Sequence, residues 1–120
     1  MSKEQNFTAE DNWFKDEKKQ LVFDVVDEDA VAQTMTGWTL SFSIYRMGSS
    51  AAAILTKTTT GGDIAISNGN GTNDRATVTV AATDLSAQLA GTYQYELERT
   101  DASSPQKLAF GTLVLKNVRS

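Results

Sequence analysis

Glu96 and Glu98 are the residues of this chain best placed to do chemistry. They stand two apart in GTYQYELERTD, a spacing that on a β-strand sets both carboxylates on one face, about 7 Å apart. Paired carboxylates at such a distance serve glycoside hydrolysis where a cleft raises the pKa of one of them. An exposed strand face offers no cleft, and Arg99 and Lys107 are close by, so the pair reads as solvated surface charge. Asp24, Asp27, Glu28 and Asp29 in DVVDEDA gather hard oxygen donors of the kind calcium takes, but without the spacing or glycine of an EF-hand loop. That run reads as a solvated connection. TTTGGD followed by IAIS occurs once, whereas calcium-binding β-rolls are defined by repetition. Tyr45, Tyr93 and Tyr95 could form a platform for a sugar or a protein; packing in the core with the hydroxyl at its rim is the better reading.

The 120 residues include no cysteine and no histidine. Disulfides, thiolate and imidazole nucleophile systems, and the usual zinc sites therefore have no ligands or bases to work with. No catalytic residue, cofactor site or metal ligand is predicted, and the chain is expected not to be an enzyme. Hydrophobic residues make up 40% and charged residues 22%, the balance of one folded domain. A formal charge of −4 argues against a nucleic-acid partner, which requires a basic surface. There is no apolar run of membrane-spanning length, and the first residues lack the apolar core of a secretory signal. No membrane partner is expected.

The elements that would position these side chains are strands. QLVFDVVD places Leu21, Phe23 and Val25 on one face, and WTLSFSIYR places Trp38, Leu40, Phe42 and Ile44 on one face. AAILTK and DIAIS are two short strands, and RATVTVA sends Ala76, Val78 and Val80 inward. NGNGTND is a loop built on residues that tolerate positive φ. TDLSAQLAG predicts a short helical turn near residues 83–90, capped by Thr83 or Asp84, with Leu85 and Leu89 covering the core and Gly91 as the exit. Tyr93, Tyr95 and Leu97 then point inward, and KLAFGTLVLK closes the fold with Phe110 and Val114 inward. Seven to eight short strands with regular turn signals predict an all-β, antiparallel immunoglobulin-like β-sandwich over residues 20–120, without the Cys–Trp–Cys hallmark of antibody domains.

Residues 1–19 form a charged, weakly periodic N-terminal arm that nonetheless carries Phe7, Trp13 and Phe14. Trp13 and Phe14 are costly to leave in water, by roughly 1.5–3 kcal/mol each. The domain's own sheet is one cover for them. A neighbouring subunit is the other, which makes Phe7, Trp13 and Phe14 candidate assembly contacts.

The succession of LVFDVVDEDAVAQTMTGWTLSFSIYR, ILTKTTTGGDIAIS, ATVTVAATDLSAQLAGTYQYELERTD and KLAFGTLVL resembles small immunoglobulin-like domains of tailed bacteriophages, similar in turn to the N-terminal domain of the baseplate upper protein family. Thr36, Gly37, Trp38 and Leu40 match that group's T-G-W/A-x-[LV] strand, which follows a D-x-D-type loop; Asp84, Leu89, Gly91, Tyr93, Tyr95 and Leu97 match its later segment, with Gln88 at a spacer position. The resemblance implies a non-enzymatic virion component, in a baseplate, tail or fibre adaptor or capsid decoration, made in the bacterial host cytoplasm. Its partners would be other virion proteins and further copies of itself. The competing reading is a carbohydrate- or host-receptor-binding module using Tyr45 or Trp38 with Asn68, Asn70 and Asn73.

Overall fold

Alternating apolar residues produce strands, and the strands form two sheets with the apolar sides facing each other. The computed structural model describes residues 3–4, 13–14, 17–26, 31–47, 53–69, 71–85, 87–101 and 106–116. The strands are β1 (Lys3–Glu4), β2 (Lys19–Asp24), β3 (Leu40–Arg46), β4 (Leu55–Thr58), β5 (Ile64–Ser67), β6 (Arg75–Val80), β7 (Gly91–Arg99) and β8 (Gln106–Leu115). One sheet runs β1-β8-β7-β3-β4 and the other β2-β6-β5. The protein is all-β, and its architecture is a sandwich of these two sheets around one apolar core.

The sequence fits this layout strand by strand. In β3, Leu40, Phe42 and Ile44 are buried while Ser41, Ser43 and Tyr45 are half-buried on the outer face. Leu21 and Phe23 of β2, Ala76, Val78 and Val80 of β6, and Tyr93, Tyr95 and Leu97 of β7 meet them from the other strands. At the centre Phe23, Phe42 and Tyr95 form a ring cluster, with centroids 6.2, 5.7 and 5.5 Å apart. Tilted aromatic pairs at this range add to the gain from area burial.

One expectation is extended and three need correcting. The ladders among β2 to β8 are antiparallel, as expected, and β1, outside residues 20–120, pairs with β8 in parallel, Lys3 opposite Ala109 and Glu4 opposite Phe110. A terminal strand is joined to its partner by no hairpin, so nothing local sets its direction. First to be corrected, Phe110 and Val114 are half-buried on the outer face, whereas Leu108, Ala109, Leu113 and Leu115 fill the core. The β7–β8 register shifts between Leu97 and Glu98: Leu97 faces Ala109 but Glu98 faces Lys107, leaving Leu108 as the extra residue of a bulge. One inserted residue reverses the parity of the strand.

Second, the described part of residues 83–90 contains no helix. Two hydrogen-bonded turns stand there instead, Asp84 N–H to Ala81 C=O (3.1 Å) and Gln88 N–H to Leu85 C=O (3.0 Å). Without helical geometry, residues four apart need not share a face. Leu85 is buried, and Leu89 is 80% exposed. Third, Trp38 is half-buried at the rim instead of in the core.

Two devices hold this corner. Tyr93 Oη donates to the Leu89 carbonyl at 2.6 Å, and Gly91 opens β7 with φ of 151°, where a side chain would strain the backbone. Lys57, on edge strand β4, points inward opposite Phe42 and reaches Asp84 at 2.8 Å. Asp84 also accepts from Ala81 N–H at 2.6 Å. A Tyr93→Phe variant should lose about 0.5–1.5 kcal/mol, the net worth of one hydrogen bond, with no change in the denaturant slope. A urea midpoint equal to that of the wild type would show that the bond does not hold the corner.

Residues of the N-terminal segment belong to the same sandwich. Trp13 is fully buried in the core, its carbonyl accepts from Lys116 N–H at 2.9 Å, and Phe14 bridges to Lys116 in parallel. A turn closed by Glu17 N–H on the Phe14 carbonyl (3.0 Å) then leads toward β2 in the other sheet.

Candidate functional site

With the core filled, the described surfaces open to a partner include the two ends of the sandwich and the outer faces of both sheets, the smaller sheet carrying the exposed Val22. At one end, β3 finishes in Arg46 and is followed by Met47, beside the segment that enters β7. The Tyr93–Leu89 bond fixes that segment so that the Leu89 side chain points to solvent. A hollow of about 350 Å³ lies here, lined by Arg46, Met47 and residues 87–93. Met47 is 50% exposed, so two large apolar side chains meet water beside one guanidinium. That chemistry suits a protein side chain better than a polar small molecule.

At the opposite end a hollow of about 340 Å³ is lined by Val25, Val26, Gln33, Trp38, Arg99 and Gln106. The Arg99 guanidinium lies 4.0 Å from the Trp38 ring centroid, a cation–π contact that covers one face of the indole. Arg99 also grips Asp101, at 2.9 and 3.4 Å, and this hydrogen bonding holds the Asp101 carboxyl below its ordinary value.

The outer face of the larger sheet carries Glu96 opposite Phe110 and Ser43, with Gln94 and Tyr45 in the next row. Lys107 Nζ lies 3.2 Å from Glu96 Oε1. Partial burial pushes the Glu98 carboxyl up, hydrogen bonding and charge from Glu96 push it further, and Lys107 opposes them. The pair thus sits on a sheet face with a lysine beside it. Because Glu98 holds its proton more tightly when folded, its contribution is fully present below the ordinary value of 4.5 and is lost as pH rises through the folded value.

Asp84 behaves oppositely. Burial pushes it up, but the bonds from Lys57 and Ala81 N–H, with the lysine charge, outweigh that and hold it below 3.8. Its contribution is therefore lost as pH falls through that depressed value. A Glu98→Gln variant should remove the gain on mild acidification from neutral pH and leave the loss in strong acid intact. Thermal melting across pH reads both limbs; an unchanged mild-acid limb would overturn the assignment to Glu98.

Of the candidate assembly contacts, Trp13 lies wholly inside this chain's own core and has no surface to offer a neighbour. Phe14 is half-buried, with Lys116 Nζ 5.9 Å from its ring centroid, and Phe7 lies outside the described residues. The sugar-binding constellation is brought together only in part: Thr36, two residues before Trp38, meets Asn73, whereas Tyr45 lies toward the far end of β3. Trp38 precedes β3 and Tyr45 sits near its far end, seven residues or roughly 23 Å apart at strand rise. Asn73 is committed to a loop brace, its Nδ2 donating to Thr36 Oγ1 at 2.8 Å, and Asn68 Oδ1 accepts from Asn73 N–H at 2.9 Å. Asn70 lies outside the described residues, as do Asp27, Glu28 and Asp29. Among the described residues no group of three or more acidic side chains could hold a metal, and no helix is long and apolar enough to cross a membrane.

Nothing in the sequence pattern singles out Met47, and the spacing of Leu89 from Leu85 predicts a core position that the structure does not give it. Their signal was the apolar residue left over at each strand end, which is visible only once the strand ends are known. Among the described residues, fold and surfaces define a two-sheet β-sandwich whose exposed features include an apolar end, a polar end and a mixed sheet face. No protein-family model matches the chain, and no curated protein matches it.

Proposed function

We propose that this protein is a non-enzymatic structural component of a tailed-bacteriophage virion, an immunoglobulin-like domain that acts through protein–protein assembly. The observation that carries the reading is the corner before β7. Residues that bear the family resemblance form one mechanical unit there: Asp84 ties Lys57 and Ala81, Tyr93 ties Leu89, Gly91 starts the strand, and Tyr95 enters the ring cluster. A tyrosine at the start of this strand that bonds back to a carbonyl just upstream is a mark of immunoglobulin-like sandwiches. The sheet order, with β8, β7, β3 and β4 against β2, β6 and β5, supports the same architecture. Phe23, Phe42 and Tyr95 supply the central packing that a disulfide and a tryptophan supply in antibody domains.

Assembly through faces and ends is favoured over strand addition at β4. That edge strand carries Lys57 pointing inward, a charge that discourages pairing with another chain. Met47 and Leu89, exposed at one end, support a protein partner, which on this reading is another virion protein or a further copy. The test is the composition of purified particles from the phage whose genome encodes this chain. A band of fixed copy number, with density for a two-sheet domain at symmetric positions, is the expected result. Particles that lack the protein would overturn the proposal.

A further inference from the structure

The loop between β5 and β6 reads NGNGTND, residues 68–74, with two Asn-Gly steps in succession. Such a step is prone to modify itself, because glycine has no side chain to keep its nitrogen from the asparagine Cγ. The glycine nitrogen gives its proton to a solvent base and bonds to Cγ, the side-chain amide leaves as ammonia, and a succinimide ring closes. Water then adds to either ring carbonyl, leaving aspartate or isoaspartate. The fold meets this hazard with one buried carboxylate. Gly69 N–H donates to Asp74 Oδ1 at 2.7 Å, Gly71 N–H donates to Asp74 Oδ2 at 3.1 Å, and Asp74 is almost wholly buried.

Two effects oppose ring closure. The bonds hold each N–H toward the carboxylate, and the negative charge beside the nitrogen disfavours the deprotonated amide that must attack. A side chain in place of either glycine would crowd its neighbours. A Cβ at Gly69 would lie 2.7 Å from Asp24 Oδ1 and 3.2 Å from Arg75 Nε, against the ion pair that joins β2 to β6. At Gly71 it would lie 3.0 Å from Ala32 Cβ.

We propose that Asn68–Gly69 and Asn70–Gly71 are latent deamidation sites, held shut in the folded protein by the Asp74 carboxylate. Asn70 itself lies outside the described residues, and its step enters through the Gly71 nitrogen. Conversion at residue 68 would disturb the acceptor of Asn73 N–H, and Asn73 in turn holds Met35 N–H at 2.8 Å and Thr36. The end of the sandwich that carries Trp38 would loosen with it.

The test incubates full-length wild type, Asp74→Asn, Asp74→Ala and Thr36→Val at mildly alkaline pH. Peptide mapping then follows the mass gain of deamidation and the isoaspartate product at residues 68 and 70. Both Asp74 variants should convert about tenfold faster or more, the factor carried by loss of one charge-assisted hydrogen bond. Thr36→Val, which loosens the loop without touching the glycine amides, should stay near the wild-type rate. Asp74→Asn keeps the size of the side chain, and its melting curve checks that it is folded. Native wild type compared with itself in urea needs no variant, and there too the unfolded chain should convert faster. Equal rates in wild type and the Asp74 variants, equal rates in native and unfolded wild type, or Thr36→Val as fast as Asp74→Asn would each overturn the proposal.

Discussion

A Trp13→Ala variant should lose about 3–5 kcal/mol, the usual cost of deleting a large buried ring, from a total stability of about 5–15 kcal/mol. The indole is fully enclosed in the core, and the backbone beside it takes the Lys116 N–H that follows β8. The substitution leaves a cavity between the sheets and loosens the seam between the N-terminal segment and the last strand. Removing residues 1–18 should do at least as much damage, since it deletes Trp13 and the parallel strand β1 together. Circular dichroism melting reads both. A shortened chain that melts like the whole protein would show that the segment is dispensable for folding and return it to the role of a docking arm.

Phe42→Ala should cost a similar amount, about 3–5 kcal/mol. Phe42 sits at the middle of β3, packed between Phe23 of β2 and Tyr95 of β7, so it joins the two sheets as well as two strands of one sheet. Smaller aliphatic replacements at Phe23 or Tyr95 should not be additive with it, because residues in one cluster share the same cavity. Tyr95→Phe, by contrast, keeps the ring and its contacts. A Phe42→Ala variant with an unchanged melting temperature would mean that β3 presents its other face to the core.

Both variants bear on function as well as on stability. If the protein works by assembly, a destabilised domain fails in assembly for lack of folded copies. Loss of incorporation means something only for variants whose melting is unchanged. The exposed side chains of Met47 and Leu89 meet that condition better than the buried Trp13, whose removal changes the fold first.

Much of the architecture follows from alternation along the chain. Leu40, Phe42 and Ile44, or Ala76, Val78 and Val80, declare a strand with one buried face, because a period of two on a pleated backbone permits no other arrangement. The absence of cysteine and histidine is likewise a property of the chain as written, and it limits the available chemistry before any folding is considered. The remaining features depend on partners far away in sequence. In β8 both faces are apolar enough to be core, and the choice of Leu113 and Leu115 over Phe110 and Val114 rests on a single bulge opposite Leu97 and Glu98. Leu89 has the spacing of a core residue from Leu85 but faces solvent, because the chain between them makes turns rather than a helix. Trp13 lies in a segment with little periodicity, so only the space left between the sheets decides that it is buried. Lys57 and Asp74 look like ordinary surface charge until the fold encloses them beside Asp84 and beside two glycine amides. Alternation is a local signal that neighbouring residues impose on one another, whereas parity after a bulge, burial of an isolated ring and pairing of an enclosed charge are set by contacts across the sandwich.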